Sequence, residues 1–203
     1  MGRRIAFAAA AAIGAAALWW RKNPSACPYS QRFWVEAPHP LITRSRLRSV
    51  LRPFPGERIC EIGPGAGYYT PSLAAWVGDA GRIDIYDLEP RFLDHALGRV
   101  AKAGLRNVVA TQGDATTLPY EDDSLDAVVL TAVLGEIPDQ TGALSEIARV
   151  LRPGGRLVVG ELLGDPHYVA PSALEARALA AGLVATERSG PAIGYFARLE
   201  PVG

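Results

Sequence analysis

A chain of 203 residues, 49% hydrophobic and 21% charged, suits one domain with a sizeable core and is too apolar to be disordered. Its formal net charge of zero hides an asymmetry: residues 1–58 carry ten Lys or Arg against Glu36 and Glu57, near +8, and the remainder carries 11 basic and 19 acidic residues, near −8. The acidic remainder argues against a nucleic-acid partner, and the two cysteines, Cys27 and Cys60, lack the spacing of a disulfide framework or a metal site.

Taken in chain order, the first feature is an uncharged, Ala-rich run of 16 residues, Ile5 to Trp20, with Arg3–Arg4 before it and Arg21–Lys22 after it. A bilayer span needs roughly 20 apolar residues, and Trp19–Trp20 suit an interfacial belt. The run is therefore expected to be an apolar helix that anchors the chain to a membrane, with a helix docked on the domain as the alternative. A cleaved signal peptide fits worse, because no small-residue site precedes Arg21. The basic front is equally suited to an anionic lipid surface or to the acidic domain behind it.

Residues 23–55 form a proline-rich connector (Pro24, Pro28, Pro38, Pro40, Pro53, Pro55) with one basic helix over Ile42–Leu51. The third unit, residues 56–203, alternates short apolar strands with amphipathic helices. Strands are predicted at Arg58–Ile62, Arg82–Tyr86, Val108–Thr111, Leu125–Leu130, Arg156–Gly160, Val184–Arg188 and Gly194–Leu199. Helices are predicted at Pro71–Val77, Pro90–Ala103 and Gln140–Leu151, and a last one carries a capping box of Ser172 and Glu175. This alternation predicts a Rossmann-like α/β fold: a seven-stranded, mostly parallel sheet with helices on both faces. The last two strands have only a Gly190–Pro191 turn between them, so they should form an antiparallel hairpin.

Four motifs carry chemistry. Glu61-Ile62-Gly63-Pro64-Gly65-Ala66-Gly67 leaves the first strand and opens a helix; its glycines permit a sharp turn and close ligand approach. Asp87 closes the second strand, 24 residues after Gly63, where a carboxylate accepts ribose hydroxyls; the alternative is a helix cap before Pro90. Gly113-Asp114-Ala115 ends the third strand, and Leu151-Arg152-Pro153-Gly154-Gly155 precedes the fifth as a helix stop and turn.

In this order the set resembles the class I S-adenosylmethionine (SAM)-dependent methyltransferases, near the type 11 and ubiquinone/menaquinone-biosynthesis group, over about Gly56 to Pro201. The resemblance implies SAM as cofactor. Gly63, Gly65 and Gly67 would lie under its methionine part with Glu61 in support, and Thr131 nearby. Asp87 would bind the ribose and Leu88 would lie against the adenine. Asp114 would bond the adenine amino group with Ala115 beside it. The catalytic domain would then stand in the cytoplasm, membrane-anchored or, alternatively, soluble.

Methyl transfer from a sulfonium needs mainly alignment, plus a base where the nucleophile must lose a proton. Two loops at the carboxyl ends of strands offer one: Glu136 after the fourth strand and His167 after the fifth. His39 and Tyr29 of the connector are candidate covers. The expected acceptor is a small molecule, lipid-soluble if the anchor holds. The rivals are an NAD(P)-dependent oxidoreductase, disfavoured because Tyr68 stands where a dinucleotide fingerprint has its third glycine, and a SAM-binding protein without turnover.

Overall fold

The structure, a computed structural model, describes residues 23–36 and 39–202. The apolar run expected at residues 5–20 lies outside them. Among the described residues no helix is long and apolar enough to cross a membrane.

Seven strands form one sheet: β1 Arg58–Ile62, β2 Arg82–Asp87, β3 Val108–Gln112, β4 Leu125–Thr131, β5 Leu151–Leu162, β6 Leu183–Ser189 and β7 Gly194–Pro201, in the spatial order β3-β2-β1-β4-β5-β7-β6. The first five run parallel, and β7 lies antiparallel to both β5 and β6. The predicted sheet and its terminal hairpin are both present.

Six helices accompany the sheet among the described residues: α1 Arg32–Glu36, α2 Arg44–Leu51, α3 Thr70–Val77, α4 Pro90–Lys102, α5 Gln140–Val150 and α6 Pro171–Ala180. Side chains alternate across a strand, so neighbouring residues feed opposite faces. Ile59, Val129 and Val158 pack with Leu47 and Val50 of α2, Leu73 of α3 and Leu93 of α4. Cys60, Val128 and Val159 pack on the other face with Leu144 and Ile147 of α5 and Leu174 of α6. The basic connector helix α2 is thus built into one core layer, with Leu47, Val50 and Leu51 wholly buried. Its C-terminal end is tied down by Arg156 of β5. That guanidinium donates to the Leu51 and Arg52 carbonyls and forks onto Glu57 at 2.7 and 2.8 Å, with both side chains buried.

Two local expectations fail for identifiable reasons. Pro153-Gly154-Gly155 is a bulge inside a longer β5 and does not precede it: Leu151 already pairs with Leu125, and the register shifts before Arg156 meets Ala127. The chain passes from α5 into β5 with no connecting loop. The Ser172–Glu175 capping box is also absent. α6 begins two residues earlier than that box requires, at Pro171, with Ala170 as its cap and no side-chain bond; proline's fixed φ starts the helix and leaves Ser172 inside the first turn.

Strand order reverses between β1 and β4, which continue to β2–β3 on one side and β5 on the other. Open α/β sheets bind ligands in the crevice outside the carboxyl ends of strands at such a point.

Candidate functional site

A cavity of about 870 Å³ opens at that crevice, toward the upper end of the range for small-molecule sites. The candidate cofactor and catalytic residues read from the sequence all line it except Gly67, and of the two candidate covers His39 does and Tyr29 does not.

Its floor is the glycine turn. Gly63, Gly65 and Gly67 all have positive φ, at 66°, 52° and 72°. A side chain at Gly63 would run into Val133. Gly67 faces the other way: a Cβ there would stand 2.7 Å from the Ala96 Cα of α4. Its role is close helix packing. Below the turn, buried Glu61 accepts the Thr70 hydroxyl at 2.6 Å. Burial outweighs that bond and pushes its carboxyl up to about 7.

Asp87 ends β2 with one oxygen accepting the Glu89 N–H at 2.9 Å. It does not cap α4; Glu89 does, by accepting the Arg91 N–H. Burial raises Asp87 to about 6. Leu88, half exposed, stands at the rim of the same end of β2. Asp114 differs: the Thr116 N–H and hydroxyl both donate to it at 2.8 Å and hold its carboxyl below the usual range. Ala115 behind it is buried.

Across the cavity, Thr131 ends β4 with its Oγ1 buried and unpartnered. Ala132 follows in the left-handed region, φ 55°, a strain that accompanies functional turns. A single 3-10 turn, Leu134–Glu136, then delivers Glu136. Its Oε2 accepts the Cys27 N–H at 3.1 Å. Burial first, then the Asp165 and Asp87 charges, push it up to about 8. Asp165 and His167 come from the loop after β5, where the His167 N–H donates to Asp165 at 2.7 Å. The His167 carbonyl packs so closely on Gly135 that no side chain fits there.

The sequence reading missed part of the wall. Ser25, Ala26, Cys27 and Gln31 of the connector line the cavity, as do Tyr68, Phe92 and Asp165. His39 lines it as expected, stacked on Tyr68 at 5.6 Å. Tyr29 does not reach the lining but packs edge-on against Phe92 at 5.1 Å. Asp165 stands in a loop already flagged for His167, yet no sequence pattern tells which side chain there turns inward. Among the described residues no group of His, Cys, Asp and Glu is arranged to hold a metal.

Known proteins resemble this chain in sequence and in fold. Residues 60–159 match the family described as a methyltransferase domain. A demethylmenaquinone methyltransferase of Mycobacterium marinum is 39% identical over 121 residues, covering 58% of this chain and 47% of its own. A ubiquinone/menaquinone biosynthesis C-methyltransferase of Teredinibacter turnerae is 36% identical over 108 residues, 53% of this chain and 43% of its own. The chain therefore spans less than half the length of these curated relatives. A SAM-dependent methyltransferase from Aquifex aeolicus superposes with a TM-score of 0.79 over 88% of this chain and 100% of its own, at 19% identity, which speaks for the fold. The trans-methyltransferase CalH, solved in complex with SAH, gives 0.62 over 77% of this chain and 54% of its own, at 25% identity. With the glycine turn, the strand-end carboxylates and the strand order all in place, residues 60–159 belong to the class I SAM-dependent methyltransferase family.

Proposed function

We propose that this chain transfers the methyl group of SAM to a small, lipid-soluble acceptor that must shed a proton. The observation that carries the reading is one cavity with two chemically distinct halves. The glycine turn with Asp87 is suited to a nucleoside and its amino-acid tail; Glu136 and His167 face them from separate loops.

In this reading Asp87 accepts the ribose hydroxyls, Leu88, Asp114 and Ala115 frame the adenine, and the methionine part lies over Gly63 and Gly65 near Thr131, with Glu61 beneath. A nucleophilic electron pair of the acceptor forms the new bond to the methyl carbon. The carbon–sulfur bond breaks, its electron pair stays on sulfur, and the neutral thioether SAH results. The sulfonium is already a good leaving group, so alignment supplies most of the rate. The acceptor's proton goes to Glu136, whose raised pKa suits a base near neutrality, with His167 as the second candidate.

The acceptor class rests on two supports. The relatives are named for demethylmenaquinone and for ubiquinone/menaquinone biosynthesis, which favours a reduced quinone ring. The apolar run at residues 5–20 with its basic flanks favours a membrane-anchored chain with the catalytic domain in the cytoplasm.

Calorimetry with SAM, SAH and NADH tests the cofactor half: the two methyl-donor compounds bind and NADH does not. Loss of SAH affinity would end the reading. Labelled SAM incubated with a lipid and metabolite extract tests the acceptor half. Label confined to water-soluble products would refute the lipid proposal, and binding without any transfer would leave a SAM-binding protein that lacks turnover.

A further inference from the structure

The connector that crosses the cavity lies outside the residues matched by the methyltransferase family, yet it touches the group assigned as base. Cys27 gives its backbone N–H to Glu136 Oε2 at 3.1 Å, and Ser25, Ala26 and Gln31 line the cavity around that contact. The segment contains only the 3-10 turn Tyr29–Gln31, in which no residue is buried, and the five-residue α1. Besides the Cys27 contact, several of its described contacts converge on one ring. Tyr29 packs edge-on against Phe92 of α4, with the Arg32 and Arg91 guanidinium groups 5.2 and 5.0 Å from its centroid. Its hydroxyl lies 3.3 Å from His95 Nδ1, and the other nitrogen of that imidazole faces Glu36 at 3.4 Å.

We propose that residues 25–36 are a latched cover over the acceptor half, in which the Cys27 N–H is a positioning group for the Glu136 carboxylate and Tyr29 is the latch. The idea rests on the methyltransferase reading for what Glu136 does, but the contact and the latch are properties of the chain itself. The turn Tyr29–Gln31 buries no residue, and such a turn opens at lower free-energy cost than the core strands beneath it, so the cover lifts to admit the acceptor. Closing it restores the donor to Glu136 and removes water from the site. Other ionisable groups face Glu136 as well: Asp165 and His167 from the loop after β5, and Asp87 from β2.

Two measurements need no acceptor. The chain has two cysteines, and Cys60 is fully buried, so an aromatic disulfide reagent such as DTNB reads Cys27 alone. Tyr29→Ala should speed its modification about tenfold or more, while Tyr29→Phe should change it far less. The second readout is the carboxyl-carbon NMR titration of Glu136, assigned by its loss in Glu136→Gln. Cys27→Pro deletes the N–H and should raise the Glu136 midpoint; Cys27→Ala keeps the N–H and should leave it in place. Unchanged thiol kinetics in Tyr29→Ala would overturn the latch, and an unmoved midpoint in Cys27→Pro would overturn the positioning role. If Cys27→Pro fails to fold, Tyr29→Ala tests the cover by the same readout: readmitted water should lower the Glu136 midpoint, and an unmoved midpoint would overturn the closure. SAH calorimetry on the parent chain separates these failures from failure of the methyltransferase reading itself.

Discussion

Asp87 shows how one side chain is prepared for a ligand. One carboxyl oxygen is fixed by the Glu89 N–H, and the residue lines the cavity. A hydrogen bond to a charged group is worth about 1.5–3 kcal/mol, so Asp87→Asn should weaken SAM roughly tenfold to a hundredfold by calorimetry. Asp87 is raised to about 6, and in its proposed role it must be ionised to accept both ribose hydroxyls. SAM affinity should therefore fall as pH drops through 6 in the parent, and this acid limb should vanish in Asp87→Asn. Glu161 makes the opposite case. It is buried, its Oε2 takes the Val169 N–H at 3.1 Å, and its Oε1 has no partner. Burial raises it from 4.5 to about 8. Between those values the folded protein holds a proton that the unfolded chain has released, so stability falls as pH rises from about 4.5 to about 8 and levels off above. Glu161→Gln stays neutral and keeps an oxygen for Val169. It should flatten the thermal profile and raise the melting temperature by about 3 °C or more at alkaline pH.

At the level of elements, the clearest load is the Arg156–Glu57 fork, which joins the end of α2 to the start of β1 and to β5. Glu57→Ala leaves a buried guanidinium uncompensated and should cost about 3–5 kcal/mol in denaturant unfolding. Replacing both partners with apolar residues of similar volume should recover most of that loss. The elements were legible in the sequence to very different degrees. β1 was read to the residue because Arg58–Ile62 is bounded by a charged start and a glycine turn. β5 was read short because Pro-Gly-Gly looks the same in a turn and in a bulge; only the partner strand, through Leu125 opposite Leu151, decides between them. The Asp87 position was legible because strand-end carboxylates recur at a fixed place in this fold. Asp165 and the Cys27 N–H were not, since loop trajectory and backbone donors leave no trace in residue identity. Gly67 was legible as a required glycine but not in its purpose, which depends on α4, far along the chain, presenting Ala96.

For the whole molecule, charge is divided along the sequence, basic over residues 1–58 and acidic over the remainder. If residues 5–20 engage lipid, the full chain should sediment with vesicles containing anionic phospholipid. A variant lacking residues 1–22 should stay in solution, and raising salt should weaken but not abolish the attachment of the full chain, because apolar insertion is insensitive to screening. Equal sedimentation of both forms would place any lipid contact elsewhere.

The lining of the cavity is drawn from three stretches of the chain. The glycine turn, the strand-end carboxylates and Glu136 lie within residues 60–159, Asp165 and His167 follow them, and Ser25, Cys27 and Gln31 come from chain that precedes β1. Selectivity for what is methylated can therefore diverge by exchange of one short leading stretch while the donor chemistry is inherited unchanged. Chimaeras that graft foreign leading stretches onto this scaffold would be expected to switch acceptor without losing their grip on SAM.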